Sequence, residues 1–172
     1  QDGQDETRTG TFMSLRPVLK WPDARLSAKC VPVDRITQKT VVLAQDMLET
    51  MYAAPGRGLA APQVGVLVRL FVMDVSWKEG KKSPQVFVNP EIVWISQSEA
   101  TMSEGCLSIP DVSVDVERPD RVRLRWADLD GDICNAEFEG FAAVCVQHEL
   151  DHLDGKVTLD RISCEARARA LE

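Results

Sequence analysis

The sequence predicts an α+β fold, in which a helix is followed by small antiparallel sheets and then by a second helix near the carboxyl end of the chain. The first observation behind this prediction is an apolar stripe at three- and four-residue spacing from Ile36 to Met51, which is typical of a helix. The second is the alternation of apolar and polar residues between residues 112 and 138, which indicates half-buried strands. The third is another helical segment, from Glu139 to Gly155, which completes the order helix, strands, helix.

The first helix is predicted to begin at Asp34, whose carboxylate can accept hydrogen bonds from free N–H groups of the first turn. Pro55 and Gly56 follow the apolar stripe and are expected to end this helix. The next segment, residues 56–65, is rich in glycine and alanine and is predicted to be a loop.

Strands are predicted in the middle of the chain. Residues 68–75 are nearly all apolar, which is typical of a strand covered on both faces. A second strand is predicted over residues 85–95, and Asn89 followed by Pro90 indicates that it is bent or lies at a sheet edge.

Residues 121–138 are predicted to form a hairpin, because two alternating runs flank the turn sequence Asp128–Gly131. A short last helix is predicted over residues 166–171. No internal repeat interrupts this order, so we expect one domain.

Composition limits the classes of function. The chain has 172 residues, of which 44% are hydrophobic and 27% charged, as in a globular protein. Its net charge of −7 disfavours electrostatic binding of phosphate backbones, so we expect no nucleic-acid substrate. No apolar run approaches the about 20 residues of a membrane span, so we expect no membrane partner.

The amino-terminal segment is polar and has no apolar run of the kind found in secretory signals. We expect residues 1–12 to be a disordered leader or residues added for expression, and residues 13–172 to form a single domain. The odd number of cysteines at irregular spacing indicates free thiols in a reducing cytoplasm rather than disulfides. These are Cys30, Cys106, Cys134, Cys145 and Cys164.

The only two histidines of the chain, His148 and His152, stand four residues apart on the second predicted helix. Side chains at this spacing lie on one face of a helix, so both imidazoles can reach one metal ion. Glu149 follows the first histidine and completes the pattern HExxH, in which the acid serves as general base. The same helix has a predicted core face, formed by Phe141, Val144, Cys145, Leu150 and Leu153.

A catalytic tetrahedral site needs a third protein ligand and one open position. The candidates downstream of the histidines are Asp154, Asp160, Cys164 and Glu165. Upstream, Cys106 follows Gly105 in the segment EGCLS, and a thiolate is a strong ligand for zinc or ferrous iron. The residues alone leave open whether Cys106 is a ligand or a small core residue.

Three segments in this order resemble the motifs of the peptide deformylase family: GRGLAAPQ (56–63), EGCLS (104–108) and QHELDH (147–152). The resemblance runs from about Leu15 to Ile162. It implies an enzyme that removes the formyl group from the initiator methionine of nascent polypeptides. It also implies the fold of that family, with the HExxH helix at its centre.

The resemblance further implies a role for each matching residue. Cys106, His148 and His152 are expected to hold the metal, and Glu149 to transfer the proton of a water molecule to the departing amine. The Gln63 side-chain amide and the Leu107 backbone N–H are expected to stabilise the oxyanion. Ligand rules alone favour zinc. The resemblance instead implies ferrous iron (Fe2+), with Zn2+, Ni2+ or Co2+ able to replace it.

The substrate is expected to bind as an added strand beside Gly58 and Gly105, through main-chain hydrogen bonds. Glu104 and Arg118 match a family pair that braces the cysteine segment. Arg57 departs from the family pattern, which has Ile or Val there, and predicts an altered substrate preference. The expected methionine pocket consists of Met102, Phe141, Val144 and Cys145, which could equally be core residues.

Two other functions are compatible with the residues. An HExxH endopeptidase would use a downstream third ligand and would keep its metal without Cys106. A non-catalytic module would hold a structural metal and bind ribosomes or nascent chains. For the enzyme we expect a cytoplasmic monomer that acts on N-formyl-methionyl peptides, with at most a weak ribosome contact through Arg161, Arg167 and Arg169.

Overall fold

The computed structural model describes residues 14–172, which form two antiparallel sheets and three helices. The helices are α1 (Gln38–Ala53), α2 (Gly140–Leu153) and α3 (Cys164–Ala170). The strands are β1 (Gly58–Ala60), β2 (Leu70–Met73), β3 (Gln85–Ile95), β4 (Glu99–Cys106), β5 (Ile109–Pro119), β6 (Arg121–Ala127) and β7 (Ile133–Glu139). The predicted leader, residues 1–12, lies outside the described residues. The α+β prediction is confirmed.

The larger sheet has the order β1-β2-β3-β6-β7, with antiparallel neighbours throughout. All four residues of β2 are buried, as predicted for a strand covered on both faces, although the strand is shorter than predicted. The predicted bend in β3 is confirmed, because Asn89 has a positive φ of 50° and the pairing register shifts after Val88. The predicted hairpin is β6–β7, with Arg121 opposite Glu139.

The smaller sheet is the hairpin β4–β5, and only β5 was predicted from alternation. β4 was not predicted because its first six residues show no regular alternation of apolar and polar side chains; the first five are exposed and the sixth is Glu104. β1 was predicted to be loop, since Gly58 and Ala60 have low strand propensity. Its pairing with the buried strand β2 makes it a strand.

The helices agree with the predictions except at two ends. Asp34 is not the cap of α1; the cap is Thr37, whose N–H donates to Thr40 Oγ1 at 3.1 Å. α3 begins two residues earlier than predicted, because Ser163 Oγ accepts a hydrogen bond from Ala166 N–H at 3.1 Å. None of the helices between residues 14 and 172 combines the length and the apolar character needed to cross a membrane.

The core between α2 and the larger sheet fixes the position of α2. Phe71 and Phe87 are fully buried there and stack with ring centroids 4.4 Å apart. Full burial of such a ring contributes about 1.5–3 kcal/mol. Leu153 of α2 is fully buried against this core. Phe141 was predicted to be a core residue and is not: it is 41% exposed, because its side chain lines an open cleft.

Candidate metal centre and active site

Three potential metal ligands converge where the end of β4 meets α2. Cys106 Sγ lies 3.4 Å from His152 Nε2, and the two histidine Nε2 atoms lie 3.2 Å apart. The helix brings His148 and His152 together because they are one turn apart, and the β4–β5 hairpin brings Cys106 across a separation of 46 residues. Among the described residues, none of the downstream candidates joins this group: Asp154, Asp160, Cys164 and Glu165 all lie outside it.

The three groups fit a small divalent metal ion. A tetrahedral ion with Zn–N bonds of about 2.0–2.1 Å and Zn–S bonds of about 2.3 Å holds its ligand atoms roughly 3.3–3.6 Å apart. The observed separations of 3.2 and 3.4 Å are close to these values. Burial, and next the charge of His148, lower the pKa of His152 well below its usual value.

A buried carboxylate orients the imidazole ring of His148 through the nitrogen that lies away from the ligand group. Its Nδ1 lies 3.0 Å from Glu104 Oε1, which directs Nε2 towards the ligand group. Arg118 holds the same carboxylate with two hydrogen bonds of 2.7 and 3.0 Å. Burial opposes ionisation of Glu104, but hydrogen bonds from His148 and Arg118 outweigh it and lower the pKa of this carboxyl. The predicted bracing pair is therefore in contact.

Glu149 is buried beside the ligand group with one free oxygen. The residue is 3% exposed, and its Oε2 has no hydrogen-bond partner among residues 14–172. Its Oε1 lies 4.0 Å from His148 Nε2. Burial is the main reason that the pKa of Glu149 is raised to about 7. A carboxyl group with this pKa can both accept and donate a proton near neutral pH.

Gln63 is fixed with its amide NH2 group towards the centre. It is only 1% exposed, although its position in the predicted loop would by itself indicate a surface residue. Its Oε1 accepts a hydrogen bond from Ala60 N–H at 2.9 Å, and its Nε2 donates to Ser108 Oγ at 3.1 Å. The same Nε2 lies 3.7 Å from Cys106 Sγ. These contacts define the orientation of the amide without ambiguity.

Two residues at the site were missed by sequence reasoning. Ser108 is fully buried and accepts the Gln63 amide, and its only sequence signal is its place in EGCLS. Lys20 Nζ donates to the Leu107 carbonyl at 2.9 Å, across 87 residues. No motif in the sequence around Lys20 indicated this contact. The Leu107 segment is therefore tied to the amino-terminal part of the chain.

An open cleft of about 610 Å³ leads to the ligand group. One wall is formed by α2, with Phe141, Val144 and Cys145, and the opposite wall by the β4–β5 hairpin, including Gly105. Met102, which was predicted to line the pocket, does not line this cleft. Gly58 lies on the floor, where an added Cβ would come within 2.8 Å of Glu149 Oε1.

Arg57 lies at the mouth of the cleft. Its guanidinium is centred 5.1 Å from the Phe141 ring and its Nη2 lies 3.2 Å from Glu79 Oε1. Its Nε is buried and has no hydrogen-bond partner in the described part of the chain. The side chain thus links Phe141 of the cleft to Glu79 through a cation–π contact and an ion pair.

Comparison with known proteins places the chain in one family. The profile of the polypeptide deformylase family matches residues 15–168. The peptide deformylase of Afipia carboxidovorans is 48% identical over 160 residues, which cover 93% of this chain and 94% of that protein. That of Phenylobacterium zucineum is 45% identical over 160 residues, covering 93% and 95%.

A solved structure shows the same fold. The crystal structure of peptide deformylase from Ehrlichia chaffeensis in complex with actinonin superposes with a TM-score of 0.87 and 40% sequence identity. The match covers 92% of this chain and 95% of that chain. The resemblance of three short motifs thus extends to sequence and fold over most of the described residues. This chain belongs to the polypeptide deformylase family.

Proposed function

We propose that Cys106, His148 and His152 hold a divalent metal ion beside which the protein carries out the reaction of its family, hydrolysis of the N-terminal formamide of formyl-methionyl nascent polypeptides to release formate. The observation that carries this proposal is a group of three ligand atoms next to the buried Glu149, in which His152 Nε2 lies 3.4 Å from Cys106 Sγ and 3.2 Å from His148 Nε2. When bound, the ion supplies a Lewis acid that makes water nucleophilic near neutral pH.

Glu149 moves the proton in this mechanism. Its unpartnered Oε2 accepts a proton from the attacking water, and the carboxylic acid then gives this proton to the nitrogen of the departing amine. The pKa of about 7, raised by burial, makes both steps accessible at the same pH. Formate and a peptide with a free amino terminus are the products.

Gln63 and Leu107 stabilise the negative charge that develops on the formyl oxygen. The Gln63 amide is held by Ala60 and Ser108 before substrate arrives, so it needs no reorganisation during the reaction. The Leu107 N–H lies in the peptide unit next to Cys106. A neutral amide suits position 63, because a carboxylate would repel the oxyanion.

The peptide binds as an added strand along the cleft, between Gly58 and Gly105, where main-chain contacts accept any downstream sequence. The methionine side chain occupies the apolar part of the cleft formed by Phe141, Val144 and Cys145. Because only the first residue is read by a side-chain pocket, one enzyme can act on many nascent chains.

The metal in the cell is proposed to be ferrous iron, with zinc, nickel or cobalt as substitutes. A thiolate with two imidazoles accepts all four ions; ligand rules alone favour zinc, and the choice of iron follows the family. Metal analysis of anaerobically purified protein tests this identity. We further propose a cytoplasmic monomer. A weak ribosome contact through the basic residues near the end stays a prediction.

The central test is formate release from formyl-Met-Ala-Ser under oxygen-free conditions, with wild type and Glu149→Ala compared. Loss of the proton carrier is expected to lower kcat by about 10²- to 10⁴-fold, while metal content stays at the wild-type level. Glu165→Ala removes the same charge from the exposed surface of α3 and is the control. Full activity of the Glu149 variant would refute the assigned proton transfer.

Arg57 is proposed to alter the substrate preference of this enzyme. Its contact with Phe141 places a guanidinium at the rim of the methionine pocket, where it limits the space for long or branched side chains. In Arg57→Ile, the ratio of kcat/KM for formyl-methionyl and formyl-norleucyl or formyl-leucyl peptides is expected to change several-fold. Unchanged relative rates would exclude a role of Arg57 in selectivity.

A further inference from the structure

A continuous series of charged contacts joins the carboxyl-terminal part of the chain to the proposed metal ligand His148. Arg161 binds Asp151 with both ends of its guanidinium fork, at 2.9 Å from Nε and 2.5 Å from Nη2. Asp151 also accepts from Arg118 Nη1 at 2.9 Å. Arg118 binds Glu104, and Glu104 contacts His148 Nδ1 at 3.0 Å.

The inner members of this series are shielded from water, and only the outer one is accessible. The side chains of Glu104, Arg118 and Asp151 are 3%, 5% and 8% exposed, whereas that of Arg161 is 41% exposed. Two carboxylates and two guanidinium groups alternate, so their charges cancel. Without Arg161, the buried part of the series would hold two carboxylates for one guanidinium.

We propose that Arg161 is a positioning residue for the metal site, which keeps Arg118 available to Glu104 and thereby fixes the ring of His148. This inference rests on the proposed role of His148 as a ligand. Arg118 stands between two carboxylates that compete for its N–H groups. Because Arg161 donates to both oxygens of Asp151, Asp151 competes less for the N–H groups of Arg118. The two hydrogen bonds from Arg118 to Glu104 are therefore preserved.

The loss of Arg161 acts on the site in two steps. Asp151 becomes a buried carboxylate with one cationic partner, which is strongly unfavourable, so Arg118 shifts towards it. Glu104 then loses part of its support, and His148 gains rotational freedom. Groups that orient a metal ligand typically change metal affinity by about 10- to 100-fold, and we expect an outermost member to lie near tenfold.

The test measures binding of cobalt(II) as a probe, by chelator competition and by its visible absorption spectrum, in wild type, Arg161→Ala and Arg161→Lys. We expect Arg161→Ala to bind cobalt(II) about tenfold more weakly with a changed spectrum, and Arg161→Lys to recover part of the affinity. Arg167→Ala removes the same charge and an exposed ion pair with Asp160, but does not reach Asp151, and is expected to resemble wild type.

A double-mutant cycle with Glu104→Gln shows whether Arg161 acts through the series. If it does, the two substitutions are non-additive in cobalt affinity, because each disturbs the same ring. Wild-type affinity and spectrum in Arg161→Ala, even with a lowered Tm, would overturn the inference and leave Arg161 a structural residue. Failure of wild type itself to bind cobalt(II) would instead overturn the proposed metal site.

Discussion

The proposed active site consists of two halves that are held in place by different forces. The helix half, His148, Glu149 and His152, lies on α2, where backbone hydrogen bonds set the spacing of the side chains. The loop half, Gln63, Cys106 and Leu107, comes from two segments more than 40 residues apart, joined by the Gln63–Ser108 hydrogen bond. The burial of α2 against the larger sheet holds the first half, and individual polar contacts hold the second.

This difference indicates how each half responds to substitution. On α2, the backbone fixes the spacing of the ligand residues, so the loss of a neighbouring side chain changes the orientation of a ring and not its place on the helix. In the loop half, the position of a functional group depends on one or two hydrogen bonds, so the loss of a single oxygen can misplace it. Substitutions in each half therefore test whether the two halves are held in these different ways.

The largest effect is expected for Cys106→Ala, which removes the only metal ligand of the loop half. Formate release is expected to fall more than about a thousandfold, because the several kcal/mol of charge stabilisation from the metal are lost with it. Metal content after dialysis and formate release are measured together. Cys164→Ala, an exposed thiol on α3, is the control. Retention of metal by Cys106→Ala would favour the endopeptidase alternative.

Gln63→Ala is expected to lower kcat by about 100- to 1000-fold with full metal content, because it removes an oxyanion donor. Gln63→Glu distinguishes this role from support of the loop. It keeps an oxygen for Ala60 N–H but directs a negative charge at the oxyanion. Gln63→Glu should therefore be at least as inactive as Gln63→Ala in single-turnover assays. A Gln63→Glu variant with nearly normal kcat would show that position 63 only holds the loop.

The same division explains which features could be predicted from the sequence. The helix half is encoded locally, since four-residue spacing places both histidines on one face of a helix, and α2 was predicted within one or two residues. The loop half depends on contacts between distant segments. By its local sequence Gln63 is a loop residue, and only the family resemblance pointed to its role. The hydrogen bonds of Ser108 and Lys20 were not predicted, because periodic patterns in a sequence do not indicate contacts between distant segments.

Gly58→Ala tests the point where the two halves touch. Its Cβ would lie 2.8 Å from Glu149 Oε1 and 2.9 Å from Cys145 Sγ, so the carboxylate must move. A displacement near 1 Å can cost about 100-fold in kcat. In Gly105→Ala the nearest atom to the new Cβ, apart from the two chain neighbours and within the described residues, is Ser113 Oγ at 3.8 Å. This variant should therefore raise KM by obstructing the peptide and leave kcat unchanged. Equal kcat in both variants would contradict a fixed position of Glu149.

The smallest effect is expected for Ser108→Ala, which removes one acceptor from the Gln63 amide while Ala60 still holds the amide oxygen. A hydrogen bond of this kind contributes about 1 kcal/mol, so kcat should fall roughly fivefold with metal content and KM unchanged. Ser83→Ala makes the same chemical change at an exposed position and should have wild-type kinetics. If the Gln63 amide acts on the oxyanion, Ser108→Ala should have no further effect in a Gln63→Ala background, since the group that it orients is absent. An additive loss of kcat in the double variant would mean that Ser108 acts on Cys106 or on the backbone of the loop half, independently of the Gln63 amide.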